Sequence, residues 1–429
     1  MCRRTLVTVV GVVILLAGLV TIPALPVLGP APALAATELS FLSVARGEPR
    51  RQAILGAVAD FEKANPGVKV VLSEIPFDQY FQKATIALSS GSGIDVFDVD
   101  SPLVASYGHQ GALLPLDKYY TKENLDDIIK SEREIATYKG KMISAPMGST
   151  SVGLFVNTDL FKAAGLKVPG TDPKERLTWD QVVELAKKVQ VDKSGTKIPD
   201  VWGFAIQQYD RPYMTLPLIV SSGAGDLSPD GTTVSGFLNS PAAIEAARWY
   251  GETFNQHKIS PREQVPNLFY TGKLAMYLAP SYEANTLKSQ YPNVNWVVVP
   301  HPSFKKAVTP TGAWHVGVFA GTKHPDLAVA LLKAYTDPEV AKRNYKIMNY
   351  MPVRESTFKA FPETFNAAPN NLFYSEIVRT AVPRPRTPAY REYEDLLRQA
   401  FANIRQGADA AKEMNAAAEK INAQLARYK

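Results

Sequence analysis

Apolar and polar positions alternate over Thr37–Val44, which predicts a first strand ending at Arg46-Gly47-Glu48-Pro49. Pro49 is suited to the first turn of a helix, and Ile54, Leu55, Val58 and Phe61 follow at helical spacing. Asn65-Pro66-Gly67 stops that helix, and Val68–Leu72 reads as a second strand. A helix over about Phe77–Leu88 leads through Ser89–Gly93 into Ile94–Val99, a short buried strand. Strand, helix, strand, helix, strand is the signature of a parallel sheet covered by helices. Ligands of such sheets collect beyond the carboxyl ends of the strands, here Ser43–Glu48, Ile75–Asp78 and Asp98–Pro102.

The pattern changes between Met142 and Val156, where two short strands flank Pro146-Met147-Gly148-Ser149-Thr150-Ser151. This run of small and polar residues reads as a crossover between domains. Thr178-Trp179-Asp180 then caps an amphipathic helix carrying Val182, Val183, Leu185, Ala186 and Val189. A further helix is expected near Pro241–Gln256, strands at Leu274–Leu278 and Asn295–Val299, and two alanine-rich helices over Ala389–Arg427. There is no internal repeat and no low-complexity linker.

The N-terminus changes the picture of where the chain works. Arg3 and Arg4 precede the uncharged apolar run Leu6–Val20, and Ala33-Leu34-Ala35 offers a signal-peptidase site. Residues 1–36 are therefore expected to be a cleaved signal peptide. The apolar run is short for a membrane span, and Pro23, Pro26, Pro30 and Pro32 follow it. The single cysteine, Cys2, stands before that run rather than at its end, so it is not placed as a lipid-bearing residue. The expectation is an exported, periplasmic protein without disulfides and without a lipid anchor. The net charge of +6 falls by two with Arg3 and Arg4, and the remaining basic residues are scattered. That argues against a nucleic-acid partner.

Searches for catalytic constellations find none. The five histidines form neither H-x-x-x-H nor H-E-x-x-H. Gly148-Ser149-Thr150-Ser151-Val152-Gly153 lacks the spacing of a nucleophile elbow. No phosphate-binding glycine motif occurs. Asp95, Asp98 and Asp100 lack the glycine and final glutamate of a calcium loop. No metal and no cofactor is expected.

Several segments together resemble the extracellular solute-binding proteins of ABC importers, the carbohydrate-binding group that includes maltose-binding proteins. They are Phe61-Glu62-Lys63-Ala64-Asn65-Pro66-Gly67-Val68-Lys69-Val70, Gly111-Ala112-Leu113-Leu114-Pro115-Leu116-Asp117 and Leu154-Phe155-Val156-Asn157-Thr158-Asp159-Leu160-Phe161. Thr178-Trp179-Asp180, Thr271-Gly272-Lys273-Leu274-Ala275-Met276, Asp326-Leu327-Ala328 and Met351-Pro352-Val353-Arg354 follow in family order. The resemblance implies an α/β, two-lobed periplasmic-binding-protein fold with hinge crossovers and a solute cleft between the lobes. By matching segments, residues 37–147 and 280–318 are expected in the first lobe, and 148–279 and 319–429 in the second.

Candidate ligand contacts combine strand ends with these family landmarks. Arg46 and Glu48 follow the first strand, and Phe77, Asp78 and Tyr80 the second; Tyr80 is equally suited to the helix core. Asp100 and Ser101 close the third strand, where the family often places a polar contact; Asp98 reads as structural. Ser149 lies in the first crossover. Tyr209, Arg211 and Tyr213 belong to a loop dense in aromatic and charged groups. Tyr282 stands where the family commonly has tryptophan, with Glu283 beside it. Trp314 and His315 follow the last crossover, Trp314 being either a platform or interlobe packing. Arg354 either reaches the ligand or pins a helix end.

The expected function is a monomeric, non-enzymatic solute-binding component that captures a di- or oligosaccharide and hands it to an ABC permease. Glycerol 3-phosphate or a related polyol phosphate is the alternative ligand, since Arg46, Arg211, His315 and Arg354 could supply cationic groups. A secreted carbohydrate-active enzyme is the remaining alternative.

Overall fold

β1 (Thr37–Val44), α1 (Glu48–Ala64), β2 (Val68–Ile75), α2 (Phe77–Ser90) and β3 (Val96–Asp100) follow one another as the periodicity predicts. The structure is a computed structural model that describes residues 37–196 and 198–428; the expected signal peptide, 1–36, lies outside them. β1 pairs in parallel with β2, from Thr37 opposite Val68 to Val44 opposite Ile75, and with β3 on its other side. α1 has Pro49 in its first turn and buries Ala53, Ile54, Ala57, Val58 and Phe61. Leu55, expected on that stripe, faces solvent. One residue of helix is about 100° of rotation, which carries it off the face that Ile54 and Val58 share.

Two sheets organise the chain. The first has the order β2, β1, β3, Trp314–Val318, Ala145–Gly148, with Trp314–Val318 antiparallel to β3. The second has the order Trp296–Val299, Val152–Asn157, Leu274–Pro280, Trp202–Ile206. Each is the base of one lobe. The chain passes from the first sheet to the second at 149–151 and returns at 311–313, which confirms the glycine and small-residue segments as crossovers. Among the described residues no helix is long and apolar enough to cross a membrane.

The lobes divide differently from the expected boundaries in two places. Residues 280–318 do not all lie in the first lobe, because Trp296–Val299 pairs antiparallel with Val152–Asn157. Nor do residues 319–429 all lie in the second. Helices Pro325–Thr336 and Pro338–Met348 pack on α1, and Leu331, Leu332, Tyr335 and Met348 share a core with Leu39, Phe41 and Ile54. Pro325–Thr336 buries its apolar face against the first sheet as soon as Trp314–Val318 has rejoined it, and Pro338–Met348 packs on α1. The chain then returns to the second lobe, where Leu372, Phe373 and Ile377 pack with Phe155. The closing helices, Tyr390–Arg405 and Ala410–Leu425, pack on each other and on Pro241–Asn255.

Capping follows the sequence where it is strongest. The Thr178 side chain accepts from the Gln181 amide while Gln181 reaches back, a complete capping box for Trp179–Val189. Trp179 is fully buried, its ring 4.8 Å from that of Trp249.

Asp98 is a fully buried carboxylate inside the first lobe. Its Oδ1 accepts from Arg50 Nη2 at 2.6 Å, and its Oδ2 from Ser43 Oγ at 2.9 Å and the Val44 amide at 2.7 Å. Arg50 also donates to the Val44 carbonyl at 3.0 Å. Asp98 thus ties α1 to the carboxyl ends of β1 and β3, as its position within the strand suggested. Replacing Asp98 by Ala strands Arg50 as a buried charge, so we expect a loss of about 3–5 kcal/mol. Urea unfolding followed by circular dichroism measures it. A loss under about 1 kcal/mol contradicts this role.

Candidate functional site

The strand ends, the crossovers and the loops after the second sheet meet around a cavity of about 400 Å³, within the range of small-molecule pockets. The first lobe contributes Arg46 after β1, Phe77 at the start of α2 and Asp100 at the end of β3. The crossovers contribute Met147 to Thr150, Gly312 and Trp314. From the second lobe come Gln208, Arg211 and Tyr213, which follow Trp202–Ile206, and Tyr282, which follows Leu274–Pro280. Tyr350 and Arg384 complete the wall. Close approach is built into the crossovers: a Cβ at Gly312 would lie 2.7 Å from Thr150 Oγ1, and one at Gly148 would lie 3.3 Å from Tyr350 Cβ.

Charge in the wall is mostly paired across the lobes. Arg384 Nη2 donates to Asp100 Oδ1 at 2.7 Å and to Ser101 Oγ at 3.3 Å. Arg211 lies 3.9 Å from Asp100 Oδ2, and its Nε donates to Glu394 at 3.2 Å. Burial alone would raise the Asp100 pKa, but Arg384 and then Arg211 outweigh it and hold it below the usual carboxylate value. Arg46 stands 4.2 Å from the Trp314 ring centre and 5.4 Å from that of Phe77, in cation–π contact.

A second polar cluster lies behind the cavity. Glu132, on the helix Lys130–Ala136, is fully buried and accepts at Oε1 from Ser149 Oγ at 2.8 Å and Thr311 Oγ1 at 2.9 Å. One carboxylate therefore holds these two crossovers together. His315 closes the cluster, with Nδ1 2.9 Å from Ser144 Oγ and Nε2 3.4 Å from Glu132.

Of the residues singled out from the sequence, Arg46, Asp100, Ser149, Arg211, Tyr282 and Trp314 line the cavity, as do Phe77 and Tyr213. Ser101 sits just behind it, on Arg384. The others are placed elsewhere. Glu48 and Asp78 are exposed in the first turns of α1 and α2, where acidic side chains favour the helix dipole. Tyr80 is helix core and donates to the Asp98 carbonyl. Tyr209 packs on Phe254, 5.3 Å between ring centres, outside the cleft. Glu283 is buried beneath Tyr282 and accepts from Gln207 and Tyr270. His315 follows Trp314 on one strand, and successive side chains point to opposite faces, so it turns into the Glu132 cluster. Arg354 is buried, donating to Thr336 O at 3.1 Å and pairing with Asp127 at 3.3 Å. It pins helix ends.

Met147 and Thr150 enter the sequence reading only as crossover residues, and Gln208, Tyr350 and Arg384 do not enter it. Tyr350 immediately precedes the Met351-Pro352-Val353-Arg354 landmark, and Gln208 and Thr150 adjoin residues that were read. Arg384 sits between Pro383 and Pro385, a restrained cation in a loop, and that is its only local signal.

The Asp100 geometry fixes a pH dependence. A carboxyl whose folded pKa is depressed adds stability above its unfolded value of about 3.9, and that stability is lost as pH falls through the folded value. We expect Asp100→Asn to cost about 3–5 kcal/mol at neutral pH, because Arg384 loses its buried counter-charge. The gap to the wild type should narrow as pH drops below about 4. Denaturant unfolding of both proteins at a series of pH values tests this. A gap that stays constant down to acid contradicts the pairing.

Comparison with known proteins agrees with this architecture. The profile of the family described as bacterial extracellular solute-binding protein matches residues 47–342. A binding protein of Brucella abortus is 25% identical over 359 residues, covering 80% of this chain and 82% of its own. The maltotriose-binding protein of Pyrococcus abyssi is 24% identical over 332 residues, covering 75% and 68%. Among solved structures, an ABC substrate-binding protein of Listeria monocytogenes in complex with cycloalternan superposes with a TM-score of 0.77 at 21% identity, covering 91% of this chain and 99% of its own. The two-sheet frame, the crossovers between its halves and the family profile lead to one assignment: this chain belongs to the bacterial extracellular solute-binding proteins.

Proposed function

We propose that this protein is the solute-binding component of an ABC importer, that its solute is a di- or oligosaccharide, and that it delivers the solute to a membrane permease after export to the periplasm. The observation that carries this reading is the cavity itself. It draws on both sheets and both crossovers, and it joins tyrosines to hydroxyl, amide and guanidinium groups. Sugars present many hydroxyls and weakly apolar ring faces, so aromatic rings beside hydrogen-bonding side chains match them. Relatives that bind maltotriose and cycloalternan support the same class. The protein acts as a monomer and catalyses no reaction; capture and release are its work.

Within the cleft, Tyr282 and Tyr350 act as platforms, one from the second lobe and one beside the first crossover. Trp314 is a weaker platform, because its ring is already flanked by Arg46, Tyr80 and Phe81. Gln208, Ser149 and Thr150 address hydroxyls. Binding that engages both lobes favours a closed arrangement about the crossovers, the form a permease would read.

A thermal-shift screen of the chain from Thr37 against mono-, di- and oligosaccharides tests the reading. A ligand at about one hundred times its dissociation constant adds about 2.7 kcal/mol, and the sugar should be recovered unchanged. Absence of stabilisation by any saccharide contradicts the proposal, and turnover contradicts its non-enzymatic part. Once a saccharide is found, Tyr282→Ala and Tyr350→Ala should each weaken it about tenfold, near 1.4 kcal/mol, as measured by titration calorimetry. Unchanged affinity in both variants removes the two tyrosines from the site.

A further inference from the structure

Three arginines line the cavity: Arg46, Arg211 and Arg384. Two carboxylates answer them. Asp100 holds Arg384 and approaches Arg211, and Glu394 holds Arg211. Arg46 is different. Its Nε, like that of Arg384, is buried without a hydrogen-bond partner, but unlike Arg384 and Arg211 it makes no ion pair among the described residues. Of the acids whose charge reaches it, Asp98 is committed to Arg50 and Asp100 to Arg384. Burial first, and then repulsion from Arg50, lowers the Arg46 pKa, against opposing contributions from Tyr350, Asp100 and Asp98. A cation so placed is costly unless something neutralises it. The aromatic contacts to Trp314 and Phe77 offset only part of that cost.

Arg46 therefore stands in the wall as a cation without a carboxylate partner among the described residues. Neither Glu283 nor Glu132 is paired with it: Glu283 accepts from Gln207 and Tyr270, and Glu132 from Ser149 and Thr311. A single positive charge matches a monoanion. A phosphate monoester, with a charge of about −1.5 to −2 at neutral pH, would overcompensate it. A guanidinium's planar fork also suits a carboxylate.

We propose that the saccharide captured in this cleft contains a uronic-acid unit, and that its carboxylate is received by Arg46. This rests on the saccharide reading given above. Aromatic contact holds the guanidinium at the mouth of β1, and the rest of the sugar extends toward Tyr282 and Tyr350. Selectivity against neutral sugars follows, because a neutral solute leaves Arg46 without a counter-charge.

Titration calorimetry on the chain from Thr37 tests this with glucuronate- and galacturonate-containing mono- and disaccharides. Each is paired with its neutral hexose counterpart, beside glucose 6-phosphate and glycerol 3-phosphate. The acidic member of a pair should bind at least about tenfold more tightly, with an advantage that shrinks as salt rises. Arg46→Gln should abolish the difference within each pair, while Arg46→Lys should keep part of it; thermal melts of both variants verify that they fold. Equal affinity within pairs overturns the uronate assignment and leaves the saccharide reading standing. Tighter binding of the phosphates than of the carboxylates overturns it likewise. Failure of every saccharide, neutral or acidic, overturns the reading on which it rests.

Discussion

Two aspartates on one strand impose the constraint around which this molecule is arranged. Asp98 and Asp100 fall on the same face of β3, both buried. A buried carboxylate left without a cation or hydrogen-bond donors is costly to desolvate, or takes up a proton instead. Asp98 is met from within its own lobe by Arg50, which fixes α1 against the carboxyl ends of β1 and β3. Asp100 is met from the other lobe, by Arg384 and Arg211. The first pair builds a lobe, and the second fastens the two lobes at the cleft.

The crossovers depend on the same logic. Glu132 gathers Ser149 and Thr311, one from each passage of the chain between sheets. Because a single buried acceptor serves both, the two passages keep a fixed separation, and the lobes share a common pivot. Gly148 and Gly312 allow Tyr350 and Thr150 to approach that pivot closely. A cleft formed in this way brings strand ends from both sheets together, so a solute can touch both halves at once. Affinity and lobe arrangement are then linked through the same side chains.

Much of this was legible in the sequence because periodicity reports local packing. The β1–α1–β2–α2–β3 succession, the Thr178 cap and the paired C-terminal helices are local patterns, and they fold as read. Cavity residues at the ends of strands, such as Arg46, Asp100 and Tyr282, could be found by following strands to their termini. Leu55 went astray because one helical position turns a side chain from core to solvent. His315 and Glu283 did so because a neighbour in sequence points to the opposite side of a strand or helix start. The lobe boundaries and Arg384 were out of reach for another reason. Arg384 meets Asp100 across 284 positions of chain, and Trp296–Val299 finds its partner strand Val152–Asn157 across about half that separation. No local pattern encodes such a meeting.

The central claim is that solute is held by both lobes at this cleft, and hydrogen–deuterium exchange with and without a saccharide that stabilises the protein tests it most directly. The account predicts simultaneous protection of 45–47, 100–102, 147–151, 207–213, 280–283 and 311–315, from both sheets and both crossovers. Protection confined to one lobe, or centred on the separate depression lined by Tyr107, Gln110 and Arg391, would contradict it.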